Sequence, residues 1–302
     1  MNRPGAWLRA MPVFFVLIWS TGFVVARYGM PHAPPLSFLS IRYVLSVLAF
    51  LVWIRWVHAA WPSTRSQWLH LGVTGVLIHA GYLGGVWAAV KAGLGAGFVA
   101  LVVGLQPLLT ALWVSATGQS HRVAPRQWLG LVLGLAGLVL VVWHKLQLGQ
   151  AQAGNLSLAA FALASITAGA LYQKRWVRPC DVRTANTVQL LAALAVTAPL
   201  ALLEEGRFDW HPELIGALAW SVLVLTLGGS SLLYLLLQRG AATAVTSLMY
   251  LVPPCTALLA WWLFDETLTM LVLAGLAFTA LGVALVVRDA RPATTPIPKE
   301  TA

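Results

Sequence analysis

Arg42 and His79 are the two basic side chains of this 302-residue chain that fall well inside its long apolar runs. An imidazole titrates near neutrality, and an ionisable group in an apolar helix marks a functional position by default. Gly75, His79, Tyr82 and Val86 follow the three- and four-residue spacing that places side chains on one helix face, so His79 and Tyr82 are expected to point into one space. Such a pair could hold a solute or pass a proton. A neutral His79 bonded to a neighbouring helix is the competing reading. Arg42 falls about two turns from the end of its run, roughly 10 Å at about 1.5 Å per residue. There it could pair with Glu266 or a carbonyl as a gating or structural group, or bind a solute carboxylate. Trp19, Ser20, Gln106, Tyr172, Ser230, Ser231, Tyr234 and Tyr250 are other polar or aromatic groups within the runs. With His79 and Tyr82 they would line an amphipathic cavity for neutral, zwitterionic or moderately apolar organic solutes. Taken singly, each serves helix packing equally well.

All nine Asp and Glu residues lie at or beyond the ends of the apolar runs. That placement argues against a chain of carboxylates carrying protons through the middle of those runs. It also removes the clustered oxygen anions that hard cations need. Cys180 and Cys255 are too few for a disulfide framework or a CxxC metal site. The sequence has no HExxH, no GxSxG and no GxxxxGK[ST] pattern, so the parts of a hydrolase or a self-contained ATPase are missing. No enzyme activity, cofactor or metal site is expected. A charged ring or filter loop, as a channel would use, is not apparent either.

The elements that must position these groups follow from composition. The chain is 59% hydrophobic and only 9% charged, with a mean hydropathy of +0.80, whereas soluble domains carry about 25% charged residues. Lipid is therefore the expected solvent. The net charge of +10 would suit nucleic acid only as a basic face on a soluble domain. Here the basic residues occupy the short gaps between apolar runs. A spanning helix needs about 20 apolar residues, and the chain divides at that length into ten: 10–28, 36–57, 68–90, 95–115, 127–144, 155–174, 185–203, 214–236, 241–263 and 269–287. The first run has basic residues before it but no clear cleavage site after it, so it is kept as a helix rather than a signal peptide.

Fourteen Lys and Arg residues fall on one side of this topology and four (Arg27, Lys91, Lys145 and Arg207) on the other, with Arg42 inside a helix. Positive charge stays inside, which predicts cytoplasmic termini and an even number of spans. Most of the 15 tryptophans lie near helix ends, as in an interfacial belt, and Trp19 is the exception. Gly81/Gly85 and Gly130/Gly134 have the spacing that permits close helix contact.

The two halves also resemble each other. A shift of 147 sets Gly93, Leu101, Pro107 and Leu112 over Gly240, Leu248, Pro254 and Leu259, and Gly22 over Gly169; a shift of 145 sets Gly130, Gly137 and Leu140 over Gly275, Gly282 and Leu285. Each window pairs one helix with the fifth after it. Five is odd, so the second copy must run upside down, an arrangement that places a transport site at the repeat interface. Pro107 and Pro254 are matched interruptions, each expected to free a carbonyl one turn earlier and to allow bending.

Several of these residues carry a family resemblance: Ile18-Trp19-Ser20-Thr21-Gly22-Phe23, Arg42, Leu105-Gln106-Pro107-Leu108-Leu109-Thr110 and Leu251-Val252-Pro253-Pro254-Cys255-Thr256, with Asp265-Glu266 before the last helix. In order and spacing the chain resembles the EamA-type group of the drug/metabolite transporter superfamily over residues 10–287. It departs at Gly118-Gln119, where the second copy has Asp265-Glu266. The resemblance implies an all-α polytopic membrane protein, with ten helices as two inverted five-helix repeats. Repeat boundaries are expected at 1–150 and 151–290, followed by a disordered tail at 291–302. It also implies a secondary transporter of the cell (inner) membrane, exporting amino acids, metabolites or drugs by alternating access. A flippase for lipid or a lipid-linked carrier on the same fold is the alternative. The expected partners are a small-molecule substrate and the bilayer, not nucleic acid, and nothing in the sequence excludes a homodimer.

Overall fold

In a computed structural model the described residues are 6–117, 124–146, 152–239, 245, 248–265 and 269–288. They form ten helical segments in chain order: α1 (Ala6–Gly29), α2 (Pro35–Val57), α3 (Arg65–Lys91), α4a (Ala96–Val103) with α4b (Gln106–Ala116), α5 (Pro125–Leu146), α6 (Ala153–Trp176), α7 (Val182–Ala201), α8 (Pro212–Arg239), α9 (Leu248–Phe264) and α10 (Met270–Arg288). Six of them (α1, α2, α3, α6, α7 and α8) are long and apolar enough on their own to cross a bilayer. No strand occurs among the described residues. The side chains turned away from the bundle are apolar: Val52, Trp56, Leu202 and Trp262 are all exposed, as lipid-facing surface should be. Glu266 and the segment 291–302 lie outside the described residues.

The packing reproduces the repeat helix by helix. α5 packs on α10 and α2 on α7, each on its own counterpart, while α3 on α6 and α1 on α8 are the two images of one contact. Individual atoms follow the same relation. A methyl on Gly137 would meet the Gly275 carbonyl at 2.5 Å, and one on Gly282 would meet the Gly130 carbonyl at 2.5 Å. These are the positions that the 145-residue shift superposes. Membrane helices associate by such close backbone approach. Gly137→Ala and Gly282→Ala should therefore each cost about 1–3 kcal/mol, and to similar extents. Gly216→Ala, with nothing within 4 Å, should be neutral. Thermal unfolding in detergent checks this, and an unshifted midpoint in either of the first two variants would refute the seam.

Two expectations about helix continuity are refined. α4 is broken rather than bent: Gly104 and Leu105 interrupt it, and Pro107 sits in the first turn of α4b. A proline there sacrifices no hydrogen bond, because first-turn amides have no partner within the helix. α9 repeats the pattern, with a 3-10 turn at Leu248–Leu251 and the prolines 253 and 254 opening the helix from Val252. The second feature gave no sequence signal. α3 and α8 each contain a π-helical stretch, Val76–Leu83 and Ser221–Ser230, at positions related by the same shift of 147. Such wider turns concentrate at functional sites.

At the end of the bundle where α1 finishes, two loops dock. Glu204 accepts hydrogen bonds from the backbone nitrogens of Leu36 (2.9 Å) and Ser37 (2.8 Å) and from Ser37 Oγ (3.1 Å). It thereby satisfies the first amides of α2, where a carboxylate also complements the helix dipole. The Asp209 amide donates to the His32 carbonyl at 2.8 Å, and Lys91 Nζ donates to the Met30 carbonyl at 2.7 Å.

Candidate functional site

The π-helical stretches of α3 and α8 face each other across α1 and α2, and a cleft lies between them. Trp19, Phe23, Arg42, Tyr82, Trp87 and Ser230 are among its walls. Trp19 Nε1 donates to Tyr82 Oη at 3.2 Å, and the two rings lie nearly parallel, 5° apart, with centroids 6.1 Å apart. Trp87 stacks on Phe38 behind them at 4.4 Å. The Arg42 side chain is 3% exposed, and its Nε donates to Thr226 Oγ1 at 3.0 Å. Thr226 Oγ1 in turn donates to the Ser221 carbonyl at 2.8 Å, five residues back as the π turn dictates. No carboxylate lies within 4 Å of Arg42 among the described residues. A buried guanidinium beside stacked rings offers the forked donors that bind carboxylates bidentately. The empty space of the cleft, its open mouth included, is about 400 Å³.

The sequence-predicted residues separate into two groups. Trp19, Tyr82 and Arg42 come together in the cleft. His79 is buried beside it, edge-on to Tyr43 with ring centroids 6.1 Å apart, while Tyr43 Oη donates to the His79 carbonyl at 2.7 Å. The Gln189 side chain is within reach of the His79 ring, yet neither ring nitrogen closes a hydrogen bond of ordinary geometry. Ser20 turns to the other side of α1: its Oγ donates to the Val16 carbonyl at 2.6 Å and lies 3.4 Å from the Val252 carbonyl. Gln106 Nε2 reaches the Ile166 carbonyl at 3.4 Å, joining α4b to α6. Ser231 is buried without a hydrogen-bond partner for its Oγ and is not part of the cleft wall.

Three tyrosines lie elsewhere. Tyr234 Oη accepts from the Cys180 amide at 3.3 Å and pairs with its Sγ at 3.1 Å, anchoring the α6–α7 loop. Tyr250 packs with Ala111 and Leu131 and presses on Gly134. Tyr172 Oη bonds His70 Nδ1 at 2.8 Å and, with Trp113, Arg175 and Trp176, lines a separate and larger lateral groove with an empty volume of about 1340 Å³, open space included. The single cavity expected from all these residues does not form around them. Pro107 and Pro254 open their half-helices as described above, and the Arg42–Glu266 contact falls outside the described residues.

Two polar residues of the site were not singled out in the sequence, and the internal repeat would have found both. The shift of 147 carries Arg42 onto Gln189 and His79 onto Thr226. The structure hydrogen-bonds Arg42 to Thr226 and sets Gln189 against His79 without a closed hydrogen bond, so the same pairing of positions occurs twice, once in each orientation. Gly22 against Leu225 and Gly169 against Ile78 are a second such pair.

A substitution separates the two groups of residues. Trp19→Phe keeps a ring on Tyr82 but removes the donor, a loss of about 0.5–1.5 kcal/mol, so solute affinity should fall several-fold. Tyr172→Phe and Tyr234→Phe should leave affinity unchanged. Transport assays at graded solute concentration check this; equal effects at all three positions would refute the assignment.

Comparison with known proteins gives a consistent picture. Over 93% of its length the chain is 27% identical to a protein of Escherichia coli named as an uncharacterized inner membrane transporter, YedA, covering 92% of that relative. It is 26% identical to a Salmonella typhimurium protein named a probable amino-acid metabolite efflux pump, over 93% of this chain and 94% of that one. A solved crystal structure superposes with a TM-score of 0.74 at 19% identity, across 93% of this chain and 97% of the other, which establishes the shared fold. The model of the EamA-like transporter family matches twice, at residues 10–143 and 154–288. Those two matches are the two halves whose packing repeats about the cleft. This chain is a multi-pass membrane transporter, without enzymatic function, belonging to the EamA-like transporter family.

Proposed function

We propose that the protein exports small organic solutes bearing a carboxylate, amino acids and their metabolites foremost, by alternating access through the cleft between α1, α2, α3 and α8. The observation that carries this reading is the buried Arg42 guanidinium on an aromatic wall, held from one side by Thr226. A fixed cation suits the carboxylate. Trp19, Tyr82 and Phe23 suit an apolar or aromatic side chain, and the wall carries no acid to repel the anion. Two relatives, from Salmonella typhimurium and Escherichia coli, each named a probable amino-acid metabolite efflux pump, support the same substrate class. The lipid-carrier alternative has no support among the relatives' names. The excess of Lys and Arg on the side of both termini supports cytoplasmic termini. With that orientation, the end carrying His32 and Glu204 faces outward.

The test compares cells producing wild type or Arg42→Gln at matched membrane levels, with spent medium and cell extracts analysed by mass spectrometry. Enrichment of carboxylate-bearing metabolites outside the cells, with wild type only, is the expected result. Enrichment of solutes without a carboxylate, or equal profiles for the two proteins, would overturn it.

A further inference from the structure

The docked loops at the end of α1 bring together groups from the two halves of the chain that no part of the transport cleft uses. His32 lies in the α1–α2 loop, His211 immediately before α8, and Glu213 in its first turn. One nitrogen or oxygen from each lies within 4.8 Å of the others. His32 Nε2 is 3.0 Å from Glu213 Oε2, and His211 Nδ1 is 3.9 Å from the same oxygen. The two imidazoles lie face to face, 6° from parallel, with centroids 4.3 Å apart. We propose that His32, His211 and Glu213 form a binding site for a divalent transition metal of the zinc class.

The chemistry of the three donors favours that ion. Two imidazole nitrogens and one carboxylate oxygen are a known zinc set, with the fourth tetrahedral position left to water. Hard cations such as Ca²⁺ and Mg²⁺ call for more oxygens than this corner offers. Metal–ligand distances of about 2.0–2.2 Å place neighbouring donors about 3.3–3.5 Å apart. The spacings of 3.0 Å and 3.9 Å bracket that value, and closing the set calls for turning the His211 ring out of its stack on His32 and away from the Glu213 amide, from which its Nδ1 accepts at 3.4 Å.

A fourth residue strengthens the assignment. While Nε2 of His32 faces Glu213, its Nδ1 faces Asp209 Oδ2 at 3.6 Å. A metal-bound imidazole almost always directs its other nitrogen at a carboxylate or carbonyl, which fixes the tautomer and ring orientation. Asp209 already holds the His32 backbone through its own amide, so the orienting carboxylate is anchored to the loop that it serves. His32 is mostly shielded, its side chain 18% exposed, whereas Glu213 at 50% leaves a solvent-facing side through which an ion can arrive. Nothing in the sequence points to this cluster, because His32 and Glu213 are 181 residues apart and no His/Cys motif connects them.

The experiment uses the full-length, untagged protein, purified in detergent and stripped with a chelator. Calorimetric titration with Zn²⁺ should show one saturable site per chain. Co²⁺ at the same site should give the visible absorption of a four-coordinate ion with nitrogen and oxygen ligands. His32→Ala and Glu213→Gln should each weaken binding at least about tenfold, and Asp209→Asn should weaken it less. Thermal unfolding of the metal-free variants establishes that they remain folded, and Zn²⁺ should raise the midpoint of wild type but not of His32→Ala/His211→Ala. No saturable binding by wild type, or equal binding by that folded double variant, would overturn the site.

Discussion

Arg42→Gln should abolish measurable export of carboxylate-bearing solutes while leaving the protein folded. Removing one partner of a buried charge pair costs about 2–5 kcal/mol, which converts to at least about a 30-fold loss of affinity. The fold should survive, because the one hydrogen bond shown for the guanidinium goes to Thr226, and Thr226 Oγ1 keeps its bond to the Ser221 carbonyl. Arg42→Lys is the more informative variant. Lysine keeps the charge but loses the planar fork, so it cannot both hold Thr226 and present two parallel donors to a carboxylate. Partial recovery in Arg42→Lys, with none in Arg42→Gln, is the expected order. Counterflow of labelled amino acids in proteoliposomes measures it directly. Wild-type rates in Arg42→Gln at matched protein levels would remove Arg42 from the site.

Gly75→Ala should be among the most damaging single-methyl additions. The new methyl would overlap the Gln189 carbonyl group and lie 2.5 Å from its Cα, where α3 crosses α7. Backbone cannot swing aside as a side chain can, so the two helices must separate. Overpacking of this kind costs about 1–3 kcal/mol or more. It should also cost transport, because the displaced residue is Gln189, which stands against His79 beside the cleft. Gly72→Ala, one turn earlier and facing Ala192 at an ordinary 3.6 Å, is the control and should shift stability by less than about 0.5 kcal/mol. Equal unfolding midpoints for the two variants would show that the crossing has slack.

The sequence disclosed depth along each helix far better than direction around it. Trp19, Tyr82 and Tyr172 all fall within apolar runs, and the residues of α1 and α3 do reach one cleft. Tyr172 instead turns toward His70 and a lateral groove. In water the apolar stripe of a helix identifies its buried face; in lipid both faces are apolar and that signal is lost. Depth needs only counting, so the helices were legible, and so was the repeat, because it is a register rather than a direction. Carrying Arg42 and His79 through that register would have added Gln189 and Thr226. Only the packed structure could reveal the docking of the α1–α2 loop on the α7–α8 loop, which assembles His32, His211 and Glu213.

The pairing of α2 with α7 and of α5 with α10 fixes more than a contact pattern. Each of these pairs consists of an element and its own image, so each crossing must lie on the axis that relates the two halves, and two points determine that line. A motion that interchanges the conformations of the halves leaves the line where it is, much as a seesaw leaves its pivot. The α1–α8 and α3–α6 contacts lie off the axis and are images of each other, so they exchange geometry: whatever parts at one is regained at the other. For the alternating access proposed above, opening toward one side of the membrane and closing toward the other would then be a single displacement, with the glycine seam of α5 and α10 as one of its two bearings.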